Sequence, residues 1–148
     1  AVFGAPLDMP DHAARAIRAA LEMQERVAEW NAERREGPEI LVRIGINTGK
    51  AVAGEIGSVN KMEYTVLGDT VNTASRLESG VARPGTVVVG GQTRESVGDE
   101  FDLESLGTFS LQGKEKEVLA YEVRSAAKRG PDTIPPVEPE APGGASGP

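Results

Sequence analysis

The sequence predicts an α+β domain, a mostly antiparallel sheet covered by helices. Three observations carry this: one long segment repeats its apolar residues at helical spacing, several short β-branched segments alternate with a period of two, and turns bearing glycine or proline return most of those strands as hairpins.

The size fits one domain. Of 148 residues, the stretch 125–148 holds 6 of the 10 prolines and 4 of the 18 glycines, so about 124 residues are left to fold. Lys plus Arg total 16 against 23 Asp plus Glu, a net charge of −7, which argues against a surface that wraps nucleic acid by neutralising phosphates. No apolar run approaches the length of a membrane span, and residues 1–20 lack the basic-then-apolar pattern of an export signal, so the expected location is cytoplasmic. With no cysteine and a single histidine, His12, disulfides, thiolate nucleophiles and Cys- or His-rich metal cages are excluded. Any metal would need carboxylates.

Ala1-Val2-Phe3-Gly4 resembles the end of a strand already in progress, broken by Gly4-Ala5-Pro6, so the chain reads as a fragment. From Asp11 to about Arg35, Ala13, Ile17, Ala20, Leu21, Val27 and Ala28 fall in one stripe at 100° per residue, with Arg15, Arg18, Glu22, Glu29 and Glu33 opposite. Pro10 and Asp11 suit the first turn of this surface helix, and Gly37-Pro38 stops it. Ile40 to Ile46 alternates as a strand with Ile40, Val42, Ile44 and Ile46 on its buried face. A second strand, Ala51-Val52-Ala53, follows Asn47-Thr48-Gly49 at hairpin spacing, with glycines 49, 54 and 57 read as turn and bulge positions of positive φ. The short strand Tyr64 to Leu67 feeds a helix from Thr70 to about Val81, N-capped by Asp69. Pro84-Gly85 turns into the strand Thr86 to Val89, Gly90-Gly91 turns again, and a short helix spans Thr93 to Val97. Phe101 to Leu111 and Val118 to Val123 alternate as two strands joined at Gln112-Gly113-Lys114. Residues 125–148 have almost no large apolar side chain with which to offset their ordering entropy and read as a disordered tail or linker.

The segment Tyr64 to Glu78 is the most informative chemically. On a helical wheel Val71, Ala74, Leu77 and Val81 share an apolar face, while Asn72 and Arg76, one turn apart, point away from it. A guanidinium is permanently charged and offers a planar fork of donors to anionic oxygen, and an amide holds a hydroxyl or a water, so the pair suits phosphate chemistry. The alternative is an ordinary solvated helix face with Arg76 paired to a nearby acid.

That segment, as Tyr64-Thr65-Val66-Leu67-Gly68-Asp69-Thr70-Val71-Asn72-Thr73-Ala74-Ser75-Arg76-Leu77-Glu78, resembles the signature of the class III nucleotidyl cyclases almost position for position. The likeness extends to Ala1 through Pro6 with Asp11-His12-Ala13, to Ile44-Gly45-Ile46-Asn47-Thr48-Gly49, to Gly54-Glu55-Ile56-Gly57, to Leu106-Gly107 through Lys114, and to Tyr121-Glu122-Val123. It covers nearly everything before the tail, so residues 1–124 resemble a cyclase catalytic domain of bacterial type that lacks its leading segment. The resemblance implies a ferredoxin-like domain that cyclises a nucleoside triphosphate with two divalent cations, magnesium or manganese. It also implies a head-to-tail homodimer with active sites at the interface. Asn72 would orient the ribose, and Arg76 would stabilise charge on the phosphates as the ribose 3′-oxygen displaces pyrophosphate. Thr65 falls where the family reads the base, and Thr there is similar to adenylyl enzymes, so ATP is the expected substrate and GTP the alternative.

Two departures from the family pattern stand out. The family's metal-binding aspartates, in a Phe-x-Asp-Ile-x-Gly-Phe-Thr-like stretch and a following Gly-Asp, have no counterpart in this chain, and Asp8, Asp11 and Asp69 beside helix starts are read as capping residues instead. Gln112 stands where many members have a lysine for the terminal phosphates, and Lys114 is the candidate to supply that charge from the same loop.

Other motifs reduce to structure. Gly45 to Ala51 fails as a P-loop, with three residues between its glycines and Ala51 in place of the hydroxyl. His12 reads as an exposed first-turn residue and not a general base, since the sequence sets no catalytic partner for its imidazole. Met23 and Trp30 flank the main helical stripe, at the edge of the core or of an interface. The expected function is an adenylate cyclase domain, and the non-enzymatic alternative is a cyclase-like dimerisation or regulatory module.

Overall fold

The computed structural model describes residues 1–58, 61–110 and 117–126. In chain order its elements are α1 His12–Glu33, β1 Ile44–Ile46, β2 Val52–Ser58, β3 Lys61–Leu67, α2 Asp69–Gly80, β4 Val87–Gly90, α3 Gly91–Val97, β5 Phe101–Phe109 and β6 Val118–Ala126. Four strands form one sheet in the order β1-β4-β6-β5, with β1 and β4 parallel and the other two pairs antiparallel, while β2 and β3 pair as a separate antiparallel ribbon.

Both faces of the four-stranded sheet are covered, and β4 shows why its sequence is a continuous run of valine. Val87 and Val89 join Ala13, Ala14, Ile17 and Ala20 of α1 in one core, together with Val97 of α3. Val88, on the opposite face, packs with Leu77 of α2 and Ala120 of β6. A strand buried on both sides has no polar face to alternate with. Glu122, opposite Val88 in the ladder, is buried as well, and its carboxylate accepts from both Arg83 and Arg124. Among the described residues no helix is long and apolar enough to cross a membrane.

Several expectations are corrected. Residues 1–4 form no strand, since extended chain becomes a strand only when a neighbour takes its amide groups. The stripe of α1 is buried only in its first half. Val27 is half-buried and Ala28 exposed, because 22 residues of helix run about 33 Å and outreach the three- and four-residue strands β1 and β4 below. Met23 and Trp30 are about half exposed on that overhang, and Trp30 stacks under Arg34. His12 is half-buried, not exposed, beside Gly4. Only Ile44 to Ile46 of the predicted 40–46 strand is paired, and Ile40 and Leu41 are exposed. β2 pairs with β3, not with β1, whose partner is the distant β4. Gly49 and Gly54 are not among the glycines of positive φ, which in the described residues are 4, 37, 68, 85, 98 and 107. β6 runs three residues beyond the predicted Val123, with Ser125 and Ala126 paired to Asp102 and Phe101.

Candidate active site

α2 is launched directly from β3. Gly68 makes the join with φ of 143°, a conformation that side-chain-bearing residues rarely adopt, and its carbonyl accepts from the amides of Val71 and Asn72 at 3.1 and 3.3 Å. Gly68, not Asp69, is therefore the N-cap. Asp69 is the first helical residue, where its negative charge complements the helix N-terminus.

Of the predicted apolar face, Leu77 is fully buried, Val81 packs against the same core cluster and Ala74 is half-buried, but Val71 is 39% exposed, and Thr73, outside the predicted set, is buried. Thr73 tolerates burial because its hydroxyl donates to the carbonyl of Asp69 at 2.8 Å. Away from that side stand Asn72, exposed, and Arg76, half-buried. Among the described residues neither side chain has a hydrogen bond or an ion pair. The nearby acid on the same helix, Glu78, is taken by Arg43 at 3.0 Å and not by Arg76. The arrangement is an amide and a permanent cation one turn apart at the surface of a helix whose other side is locked in the core.

The loop after β1 fixes the start of this helix. Asn47 Nδ2 donates to the carbonyl of Thr70 at 3.2 Å, and the Thr70 hydroxyl donates to the carbonyl of Lys50 at 2.8 Å. Thr48 is tied to α3 through the hydroxyl of Thr93 at 3.0 Å. Gly49 leaves no room for a side chain, since a Cβ would stand 2.6 Å from Thr70 Oγ1. The sequence places Asn47, Thr48 and Gly49 in a turn and in the family likeness but gives no direct sign of their contacts with α2 and α3. The available signal was a glycine inside the apolar strand Ile44-Gly45-Ile46, which marks a close approach of backbone.

Thr65 lies in β3 opposite Gly54, four residues before α2. Lys114 and Gln112 lie outside the described residues. Among the described residues no three His, Cys, Asp or Glu side chains gather as a metal site, so the described residues do not fit a pair of divalent cations. Asp11 sits at the N-cap position of α1 without capping it. Its carboxylate accepts from Arg15 Nε at 2.8 Å, and that hydrogen bond holds its pKa below the ordinary carboxylate value.

The profile of the adenylate and guanylate cyclase catalytic domain matches residues 1–125, and the chain belongs to that family. Its antiparallel-rich sheet with covering helices is the ferredoxin-like cyclase fold. The chain is 40% identical over 126 residues to adenylate cyclase 1 of Rhizobium meliloti, covering 83% of this chain and 19% of that protein. It is 36% identical over 113 residues to an adenylate cyclase of Mycobacterium tuberculosis, with 76% and 25% covered. Among solved structures it resembles the adenylyl cyclase CyaB from P. aeruginosa, with a TM-score of 0.75, 28% identity, and 85% of this chain and 66% of that chain covered. The guanylate cyclase domain of RhGC from Catenaria anguillulae, solved in complex with GTP, aligns with a TM-score of 0.74 at 31% identity, with 84% and 66% covered. The chain thus spans a quarter or less of these two curated relatives and about two thirds of the solved domains.

Proposed function

We propose that residues 1–124 form the larger part of a class III adenylate cyclase catalytic domain, a cytoplasmic lyase that converts ATP to 3′,5′-cyclic AMP and pyrophosphate. The observation that carries this reading is the Asn72–Arg76 pair, held on a core-anchored helix with no acid of the described residues neutralising the arginine. Asn72 orients the ribose. Arg76 donates to phosphate oxygens whose charge grows as the 3′-oxygen displaces pyrophosphate, so its contact is strongest in the transition state. Thr65 contacts the base, and Lys114 supplies positive charge to the terminal phosphates. Two divalent cations, magnesium or manganese, belong to this reading of the complete domain, with no ligand for them assigned in this chain. Two copies associate head to tail and complete the sites at their interface.

The test compares the 148-residue chain with an active form, the protein extended by the segment that carries the family's metal-binding aspartates. With ATP and manganese, the extended protein should make cyclic AMP in preference to cyclic GMP from GTP, and the 148-residue chain should make neither. In the extended protein Arg76→Ala should lower kcat by about 10²–10³-fold with a smaller change in KM, and Arg76→Lys should restore only part of it. Parental turnover in the alanine variant would return Arg76 to an ordinary helix surface. Preference for GTP would make the domain a guanylate cyclase.

A further inference from the structure

Thr70, in the first turn of α2, is held at two points by the loop that follows β1. Asn47 donates to its carbonyl, and its own hydroxyl donates to the carbonyl of Lys50, so residues 47–50 grip one residue from both sides. Asn47 is itself fixed. A Cβ on Gly90, at the end of β4, would collide with Asn47 Oδ1, so the amide lies directly against bare β4 backbone. Thr48, the next residue, bonds the buried Thr93 of α3. The grip therefore belongs to the sheet end and not to a free loop.

We infer that Asn47 is a positioning residue for the proposed cyclisation: by fixing Thr70 it sets the rotation of α2 about its own axis and hence where Asn72 and Arg76 point. This rests on the catalytic reading of those two residues. Leu77 and Thr73 anchor the helix to the core, but burial is non-directional and tolerates small rotations that a hydrogen bond resists. At a side-chain radius of about 6 Å, a turn of about 10° moves a tip by about 1 Å. Misplacement of that size costs on the order of 10²-fold in rate when the group must meet a transition state. Asn47 touches no substrate in this scheme and acts only through α2.

The experiment has two arms. In the extended, active protein, Asn47→Ala and the isosteric Asn47→Asp, which removes the donor, should each lower kcat by about 10–100-fold while KM for ATP stays within about threefold. Combined with Arg76→Ala, the same changes should cost less than about threefold more, because the group they position is gone. In the 148-residue chain, Asn47→Ala should speed hydrogen exchange at the amides of Val71 and Asn72 by about tenfold, with the amides of Val88 and Val89 in β4 unaffected. Undiminished kcat, or an equal fold-loss with and without Arg76, overturns the positioning role. Unchanged exchange at Val71 and Asn72 overturns the grip itself. Parental turnover in Arg76→Ala alone would instead defeat the catalytic reading of α2, and the exchange arm would still decide whether Asn47 holds its first turn.

Discussion

Gly45 of β1 lies directly under the backbone of α2 at Ala74: a Cβ at Gly45 would overlap the Ala74 carbonyl oxygen and stand 2.5 Å from the amide nitrogen of Glu78. Backbone rests on backbone here, with no side chain between strand and helix to give way. The neighbours Ile44 and Ile46 face the other way, into the core beneath α1.

Gly45→Ala should therefore push α2 off the sheet. Overpacking against backbone costs about 2–3 kcal/mol, a fall of roughly 5–15 °C in melting midpoint for a domain of this size. Gly54→Ala in β2 is the control, because nothing lies within 4 Å of its added Cβ and its φ is not positive. Its midpoint should stay within about 2 °C. Equal shifts in the two variants, read by thermal unfolding, would mean that α2 is not seated on Gly45.

Glu122 is 4% exposed, and its two arginine partners, Arg83 and Arg124, are largely at the surface. Glu122→Gln keeps the shape but loses the charge that both guanidinium groups address. Since the arginines can rehydrate, the cost should be about 1–2 kcal/mol, below that of stranding a buried ion. Urea unfolding checks this, and an unchanged midpoint would show that the cluster contributes nothing net.

If the two halves of each site come from different subunits, inactive parents should complement each other. A subunit with Asn72→Ala and Arg76→Ala, mixed with one whose metal aspartates are mutated, should recover activity that rises with the heterodimer fraction. The limit is about half the rate of the intact dimer, one whole site out of two. No recovery in a heterodimer confirmed by mass would place all of the chemistry in one subunit.

Removal of residues 127–148 should leave the melting midpoint of the chain within about 1 °C, since Ile134 and Val137 are the only large apolar residues they contain. Removal from Ser125 should cost more, because Ser125 and Ala126 still pair with β5. A large fall on the shorter truncation would mean that the tail docks.

What the sequence by itself determined is local. The helical period of residues 11–35, the β-branched run at 86–89 and the alternation at 118–123 name their own elements, because the 3.6- and 2-residue periods arise from backbone geometry within a few residues. The Asn72–Arg76 pair was legible for the same reason, two residues four apart on one helix. Pairing was not legible. The sequence has no way of showing that β1 would take β4 as a parallel neighbour, or that β2 would find β3, because those partners depend on which apolar faces can be buried together once the whole chain collapses. Thr73 is buried and Val71 is not, in a helix seated against Gly45, and Glu78 turns to Arg43 because the tertiary fold brings them together. Only the tertiary structure joined Asn47 to Thr70, 23 residues apart, since a single hydrogen bond between distant segments leaves no periodic trace in the sequence.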